Sequence, residues 1–318
     1  MATQIDVKSG YQDKIASVYD DLDVPWRLIF SEHADLSAAY FNGDYGKSLD
    51  QAQHDKHEWI LKGIGFKRGC RILDIGCGIG PILKAVRDSG GEGVGLTLSP
   101  KQVEACRRHG LNAVLKDWKE LKPGELGMFD SVVSLDAFEH FCSIEDYLEG
   151  KRDAIYGEFF RTCRDLLADG GKLYLQTMTW GENLPWDGRD PSAEDINRCS
   201  ISAPYKSDER ILALAQSFCP PFSLPRNLDY IEKMAKPYFE LTSVSDGRLD
   251  YIKTYTEWEK TLHAQGWRMK LLLKWYLLKG GSFLAKVEGI NENVIREGFI
   301  RDLFGHQRMF FKRLSKQK

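Results

Sequence analysis

The run Ile72-Leu73-Asp74-Ile75-Gly76-Cys77-Gly78-Ile79-Gly80-Pro81 constrains this chain more than any other segment. A short apolar stretch bounded in this way reads as a buried strand, and the glycines after it let the backbone turn sharply and pass close to a ligand. Pro81 suits the first turn of a helix, where its missing N–H costs nothing. Strand, glycine turn and helix together open an α/β unit, and the pattern repeats. Strands are expected at Arg71–Ile75, Gly93–Thr97, Ala113–Lys116, Ser131–Leu135 and Lys172–Thr177, with helices at Ile82–Asp88, Pro100–His109 and Ala154–Leu167 between them. The alternation predicts a doubly wound, mostly parallel sheet with helices on both faces.

Around this core, residues 1–64 are expected to form a helical segment that contributes to the site, with Gln51–Gly63 as its clearest helix. Residues 65–180 form the ligand-binding core. Residues 181–318 are expected to supply a lid insertion, the remaining strands and C-terminal helices, all within one integrated catalytic domain. In that last part Gly181–Pro204 reads as a long loop, Asp208–Phe218, Thr254–Gln265 and Trp267–Leu278 as helices, and Phe239–Val244 with Leu249–Thr254 as a strand pair. Phe299–Phe311, followed by Lys312, Arg313, Lys316 and Lys318, reads either as a basic amphipathic helix able to touch anionic lipid or as an ordinary segment with solvated terminal charge.

With 44 Lys and Arg against 46 Asp and Glu, the chain has no basic field for nucleic acid. Its seven cysteines lack CxxC pairing, which argues against a zinc site or a disulfide framework and fits a cytoplasmic setting. Met1–Lys14 lacks the apolar core of a secretory signal, and Leu271–Ala285, the most apolar stretch, is cut by Lys274 and Lys279.

The turn has GxGxG spacing, and Pro81 stands where a dinucleotide fingerprint would carry its last glycine. A nucleoside with an amino-acid tail therefore fits better than a pyrophosphate. On this reading Asp74 organises the turn and helps to position the ammonium of methionine, while Gly76 and Gly78 face the ligand. Cys77 is a small side chain that fits the turn. The second strand ends without the acid usual at nucleoside sites and continues as Thr97-Leu98-Ser99-Pro100-Lys101-Gln102.

Further motifs carry a family resemblance: Tyr19-Asp20, Ser37-Ala38-Ala39-Tyr40-Phe41, Leu49-Asp50-Gln51-Ala52-Gln53, Gly95-Leu96-Thr97-Leu98-Ser99 with Gln102, Asp117-Trp118, Ala137-Phe138-Glu139-His140-Phe141 and Leu224-Pro225. From about Val18 onward the chain resembles the cyclopropane-fatty-acyl-phospholipid synthase and mycolic acid cyclopropane synthase family. The resemblance implies a Rossmann-like class I methyltransferase fold that uses S-adenosylmethionine to methylate an olefin of an unsaturated acyl chain. It further implies that Ser37 binds the methionine end, Thr97 and Gln102 the ribose, and Asp117 with Trp118 the adenine.

In the resembled family a bound bicarbonate accepts the proton released after methylation, held by a cysteine-containing turn, a glutamate, a histidine and a tyrosine. The glutamate corresponds to Glu139 and the tyrosine to Tyr251; Ala38 replaces the cysteine and Gln176 the histidine. Glu139, Tyr251 and Gln176 are thus the candidate catalytic residues. Gln176 cannot exchange a proton near neutral pH, so cyclopropane, methyl-branched and methylene products all stay open. Tyr19, Trp26, Tyr40 and Phe138 are candidate walls for the acceptor, and His140 is expected to point into structure. Two other readings use the same core: methylation of a nitrogen, oxygen or carbon of a small metabolite, and S-adenosylmethionine binding without turnover.

Overall fold

The structure, a computed structural model, describes residues 10–20, 35–122, 124–186, 189–217, 223–264, 266–267 and 293–315. Residues 10–20 form helix α1. A seven-stranded sheet follows, built from β1 (Arg71–Ile75), β2 (Glu92–Thr97), β3 (Asn112–Leu115), β4 (Phe129–Leu135), β5 (Leu167–Trp180), β6 (Phe239–Asp246) and β7 (Phe304–Arg313). Their spatial order is β3-β2-β1-β4-β5-β7-β6. Strands β1 to β5 pair in parallel, whereas β7 lies antiparallel between β5 and β6. The reversal between β1 and β4 opens a crevice at the carboxyl ends of the strands, where open α/β sheets place ligands.

The helices are α2 (Leu49–Gly63), α3 (Pro81–Asp88), α4 (Pro100–Arg108), α5 (Ile144–Leu148), α6 (Arg152–Leu166), α7 (Ala193–Arg198), α8 (Asp208–Ser217), α9 (Leu228–Ala235), α10 (Arg248–Ala264) and α11 (Val294–Ile300). On one face of the sheet Tyr156, Phe159 and Phe160 of α6 pack on Leu173, Leu175 and Phe311. On the other, Ile60 of α2 and Ile82 of α3 pack on Ile72, Val133, Tyr174 and Phe310. Both faces are therefore apolar, as burial of a mostly parallel sheet requires. A separate cluster over the carboxyl ends joins Met178 and Trp180 of β5 to Leu212 of α8, Tyr251 of α10 and Phe299 of α11.

The Rossmann-like α/β fold and its five parallel strands stand as expected, with β5 taking in Leu167 from the end of the expected helix. Three readings are corrected. Leu249–Thr254 is not a strand but the start of α10, so the antiparallel partner of β6 is β7. The segment Phe299–Phe311, for which a basic amphipathic helix is one of two readings, is the end of α11 followed by strand β7. In β7 the side chains of His306, Arg308 and Phe310 alternate with Met309 and Phe311, and all five are buried. Burial on both faces erases the period-2 signal a half-buried strand would show. Gly181–Pro204 contains α7, whose start carries a capping box between Ser192 and Asp195. Trp26, Cys219, Gln265, all of Trp267–Leu278 beyond Trp267, Lys316 and Lys318 lie outside the described residues. No helix of the described residues is long and apolar enough to cross a membrane.

Candidate functional site

The glycine turn leaves β1 with the N–H groups of Gly76 and Cys77 both donating to Leu96 O, at 3.0 and 2.9 Å, which ties it to β2. Gly76 sits at φ +85, and a Cβ there would come 2.4 Å from Ala137 Cβ; only glycine fits. Gly78 is also left-handed, at φ +54, but a Cβ there meets nothing within 4 Å, so the turn faces open space. Beneath it Asp74 is 2 % exposed, and its Oδ1 has no hydrogen-bond partner among the described residues. Burial and the nearby Asp35 push the Asp74 carboxyl up to about 8, with Lys56 opposing. A buried carboxyl oxygen lacking a donor suits an incoming ammonium, so this corner fits the methionine end of the expected nucleoside.

Ser37 is held beside it by a network that the sequence reading missed. Asp35 accepts from the Ser37 N–H at 2.9 Å and the Ser37 hydroxyl at 2.6 Å. Lys56 Nζ of α2 lies 2.7 Å from Asp35 Oδ2 and donates to Ser37 Oγ at 2.5 Å. Gln53 donates to the carbonyls of Asp35 and Ser37 at 3.2 and 2.9 Å. Lys56 has no exposed surface. Burial raises the Asp35 carboxyl, but the charge of Lys56 and the hydrogen bond from His57 overcome it and hold the group ionised.

Along the crevice, Thr97 donates to Gln102 Oε1 at 2.5 Å, which brings together the two residues matched to ribose. Ser99 caps α4 and donates to Asp20 at the end of α1. Asp117 accepts from the Lys119 N–H at 2.9 Å and from Gln12 of α1; burial raises its carboxyl. Trp118 is 4 % exposed, packed on Phe141 and Phe159 with ring centroids at 5.1 and 5.5 Å. Helix α1 thus covers the side of the crevice matched to the nucleoside.

The matched proton-accepting positions converge on another residue that the sequence reading missed. Asp136, directly after β4, has φ +46, and its N–H donates to Gln176 O at 2.8 Å. Its Oδ2 accepts from the Ala38 N–H at 3.0 Å and from Gln176 Nε2 at 3.0 Å. Oδ1 lies 3.0 Å from His306 Nε2. Burial raises the Asp136 carboxyl, but His306 and the donors of Ala38 and Gln176 outweigh it and hold it below the usual carboxylate range. Glu139 is 2 % exposed and accepts from the Thr177 hydroxyl at 2.8 Å; burial and the charge of Asp136 push it up to about 8.

Gln176 is fixed in orientation because its Oε1 accepts from the Tyr174 hydroxyl at 2.9 Å and Arg308 Nε at 3.4 Å, which turns its NH₂ to Asp136. Arg308, without exposed surface, also pairs with Asp250 at 2.7 Å and donates to Ala39 O at 2.6 Å. Tyr251, on a helix rather than a strand, lies 4.9 Å from His306 and 4.8 Å from Phe299 between ring centroids. The expected bicarbonate does not fit this arrangement, since the Ala38 N–H and the Gln176 amide are both committed to the Asp136 carboxylate.

Of the wall candidates, Phe138 stacks on Tyr156 at 4.3 Å in the core, Tyr40 stacks on Trp59 at 4.7 Å, and Tyr19 meets His140 edge-on at 6.3 Å. Asp136 was within reach of a sequence reading, as the acid next to the Ala137-Phe138-Glu139 motif. Lys56, His306 and Arg308 carried no such signal.

A family model described as "Mycolic acid cyclopropane synthetase" matches residues 7–274. Cyclopropane mycolic acid synthase 2 of Mycobacterium bovis is 27% identical over 285 residues, covering 83% of this chain and 86% of that protein. Hydroxymycolate synthase MmaA4 of Mycobacterium tuberculosis is 25% identical over 266 residues, covering 81% and 80%. The solved structure of mycolic acid cyclopropane synthase CmaA1, complexed with SAH and CTAB, superposes with a TM-score of 0.69 at 22% identity over 95% of this chain and 98% of that one.

Proposed function

The chain belongs to the mycolic acid cyclopropane synthetase family, a family of S-adenosylmethionine-dependent methyltransferases, and from that premise we propose that it methylates an olefin in an unsaturated fatty acyl chain. The observation that carries the acceptor class is the apolar cluster over the strand ends. Ala38 and Tyr251, both matched to the family's reacting centre, share that cluster with Met178, Trp180, Trp186 and Phe299. Apolar side chains gathered beside these two residues favour an acyl chain over a small polar metabolite.

When bound, S-adenosylmethionine supplies an electrophilic methyl group on a sulfonium. Asp74 and Ser37 hold the methionine end, Gly76 and Gly78 admit it, Thr97 and Gln102 bind ribose, and Asp117 with Trp118 bind adenine. An alkene needs no base to attack, so the chain's first task is to orient the double bond and exclude water. Its second is to stabilise the carbocation, for which the ring of Tyr251 offers a π face. Glu139 and Gln176 shape the polar patch where the proton leaves.

Purified protein incubated with S-adenosylmethionine and a panel of unsaturated phospholipids, acyl carriers and free acids is expected to yield a product heavier by one CH₂. NMR then separates cyclopropane from methylene. Methylation confined to amines, hydroxyls or small metabolites would refute the acceptor class, and binding without turnover across the panel would refute the enzyme.

A further inference from the structure

We propose that the carboxylate of Asp136, backed by His306, is the built-in proton acceptor of this site and occupies the seat a free bicarbonate would need. The inference rests on the olefin reading above and deepens it.

Three elements remote in sequence aim donors at this one side chain: the Ala38 N–H, the Gln176 amide and the His306 ring, each at 3.0 Å. Such convergence is what a buried anion requires. Asp136 adopts a left-handed φ of +46, a conformation that costs a non-glycine residue free energy and persists where the surroundings enforce it. His306 has no exposed surface, whereas the Asp136 side chain keeps 9 % of its own, so of the two it is Asp136 that retains accessible surface. The next residue, Ala137, packs against Gly76 of the nucleoside turn, which sets Asp136 beside the methyl donor's expected place.

Asp136 and Glu139 have been driven to opposite protonation states. Glu139 accepts a hydrogen bond from Thr177 in an apolar setting and is pushed up to about 8, so it is chiefly protonated at neutral pH. Asp136 stays ionised. Two neighbouring carboxyls separated in this way mark which one can take a proton. Gln176 then acts through Asp136 as a positioning residue.

The chemistry balances with the sulfonium donor alone. The alkene's π pair forms a C–C bond to the methyl carbon as the C–S bond breaks and its pair stays on sulfur. The carbocation then loses a proton to an Asp136 oxygen. The released C–H pair closes a cyclopropane ring when the proton leaves the new methyl group, or makes a C=C bond when it leaves an adjacent carbon. Protonated Asp136 returns its proton to solvent before the next turnover. His306 keeps its Nε2 contact with the Asp136 carboxyl throughout and holds it in orientation.

The test uses the full chain and the variants Asp136→Gly and Asp136→Asn. Glycine tolerates the left-handed backbone and empties the seat; asparagine keeps the shape and removes the base. Wild type is expected to show no saturable binding of ¹³C-bicarbonate by NMR and no loss of rate in bicarbonate-free buffer. Asp136→Gly should bind ¹³C-bicarbonate, keep its affinity for S-adenosylhomocysteine, lose turnover by about 100-fold or more, and regain part of it with added bicarbonate or formate. Asp136→Asn should lose turnover similarly without rescue.

Saturable bicarbonate binding by wild type, or an Asp136→Asn variant retaining more than about a tenth of the rate, overturns the proposal. A wild type inert toward every olefin would refute the acceptor class instead. The bicarbonate experiment would then decide the seat alone: binding only by Asp136→Gly supports the proposal, and binding by wild type overturns it.

Discussion

Binding of the nucleoside should be coupled to loss of a proton from Asp74. This carboxyl is 2 % exposed with an unpartnered Oδ1, and in the free protein it is pushed up to about 8. An ammonium placed against Oδ1 favours the ionised form, so at acidic and neutral pH the proton must leave when ligand arrives. At pH 6 the group stands about two units below its free-protein value, which weakens affinity by about 100-fold, or about 2.7 kcal/mol at 1.36 kcal/mol per unit. Affinity should therefore rise about tenfold per pH unit between pH 6 and pH 8. Above about pH 8 the Asp74 carboxyl is already ionised in the free protein and the gain stops. Calorimetry with S-adenosylhomocysteine at pH 6.5, in buffers of different ionisation enthalpy, should register release of close to one proton per ligand. In Asp74→Asn that release should vanish and the pH dependence flatten. A pH-independent Kd between 6 and 8 with no proton release by wild type would refute the reasoning.

The two turn glycines should separate folding from binding. Gly76→Ala places a methyl 2.4 Å from Ala137 Cβ and should cost soluble, folded protein, whereas Gly78→Ala, with open space at that position, should keep most of its melting temperature and lose nucleoside affinity in calorimetry. Lys56→Met removes the buried cation from Asp35, leaving it His57 and Ser37 as partners, and should destabilise the fold by about 3 kcal/mol in urea titrations; Asp35→Asn combined with it should recover part of the loss. Glu139, raised in the fold to about 8 from an ordinary 4.5, favours the fold below about pH 4.5, and that contribution is lost as pH rises toward 8. Glu139→Gln should therefore raise the melting temperature of ligand-free protein at pH 8.5 while leaving it nearly unchanged at pH 4.5, a difference scanning fluorimetry resolves.

The strand, turn and helix around residues 71–88 were legible because their determinants are local: apolar runs, glycine's access to positive φ, and proline at a helix start. Tyr251 was assigned to the wrong element because the segment around it is short and mixed, and the buried contacts of α10 decide its helix. His306 and Arg308 were not read as strand residues for the complementary reason. A strand buried on both faces between β5 and β6 shows no clean alternation, and its polar residues are tolerated only because Gln176, Asp250 and Asp136 await them.

The chain's own order of residues thus settled the α/β core and the glycine turn. Folding in three dimensions decided which of two neighbouring carboxyls is charged, that Lys56 underlies Ser37, and that Asp136 fills the seat between Ala38, Gln176 and His306. The cause is electrostatic. The glycine turn follows from nearest neighbours, but the protonation state of a buried acid depends on donors and apolar walls delivered from distant parts of the chain, and those meet only once the sheet has formed.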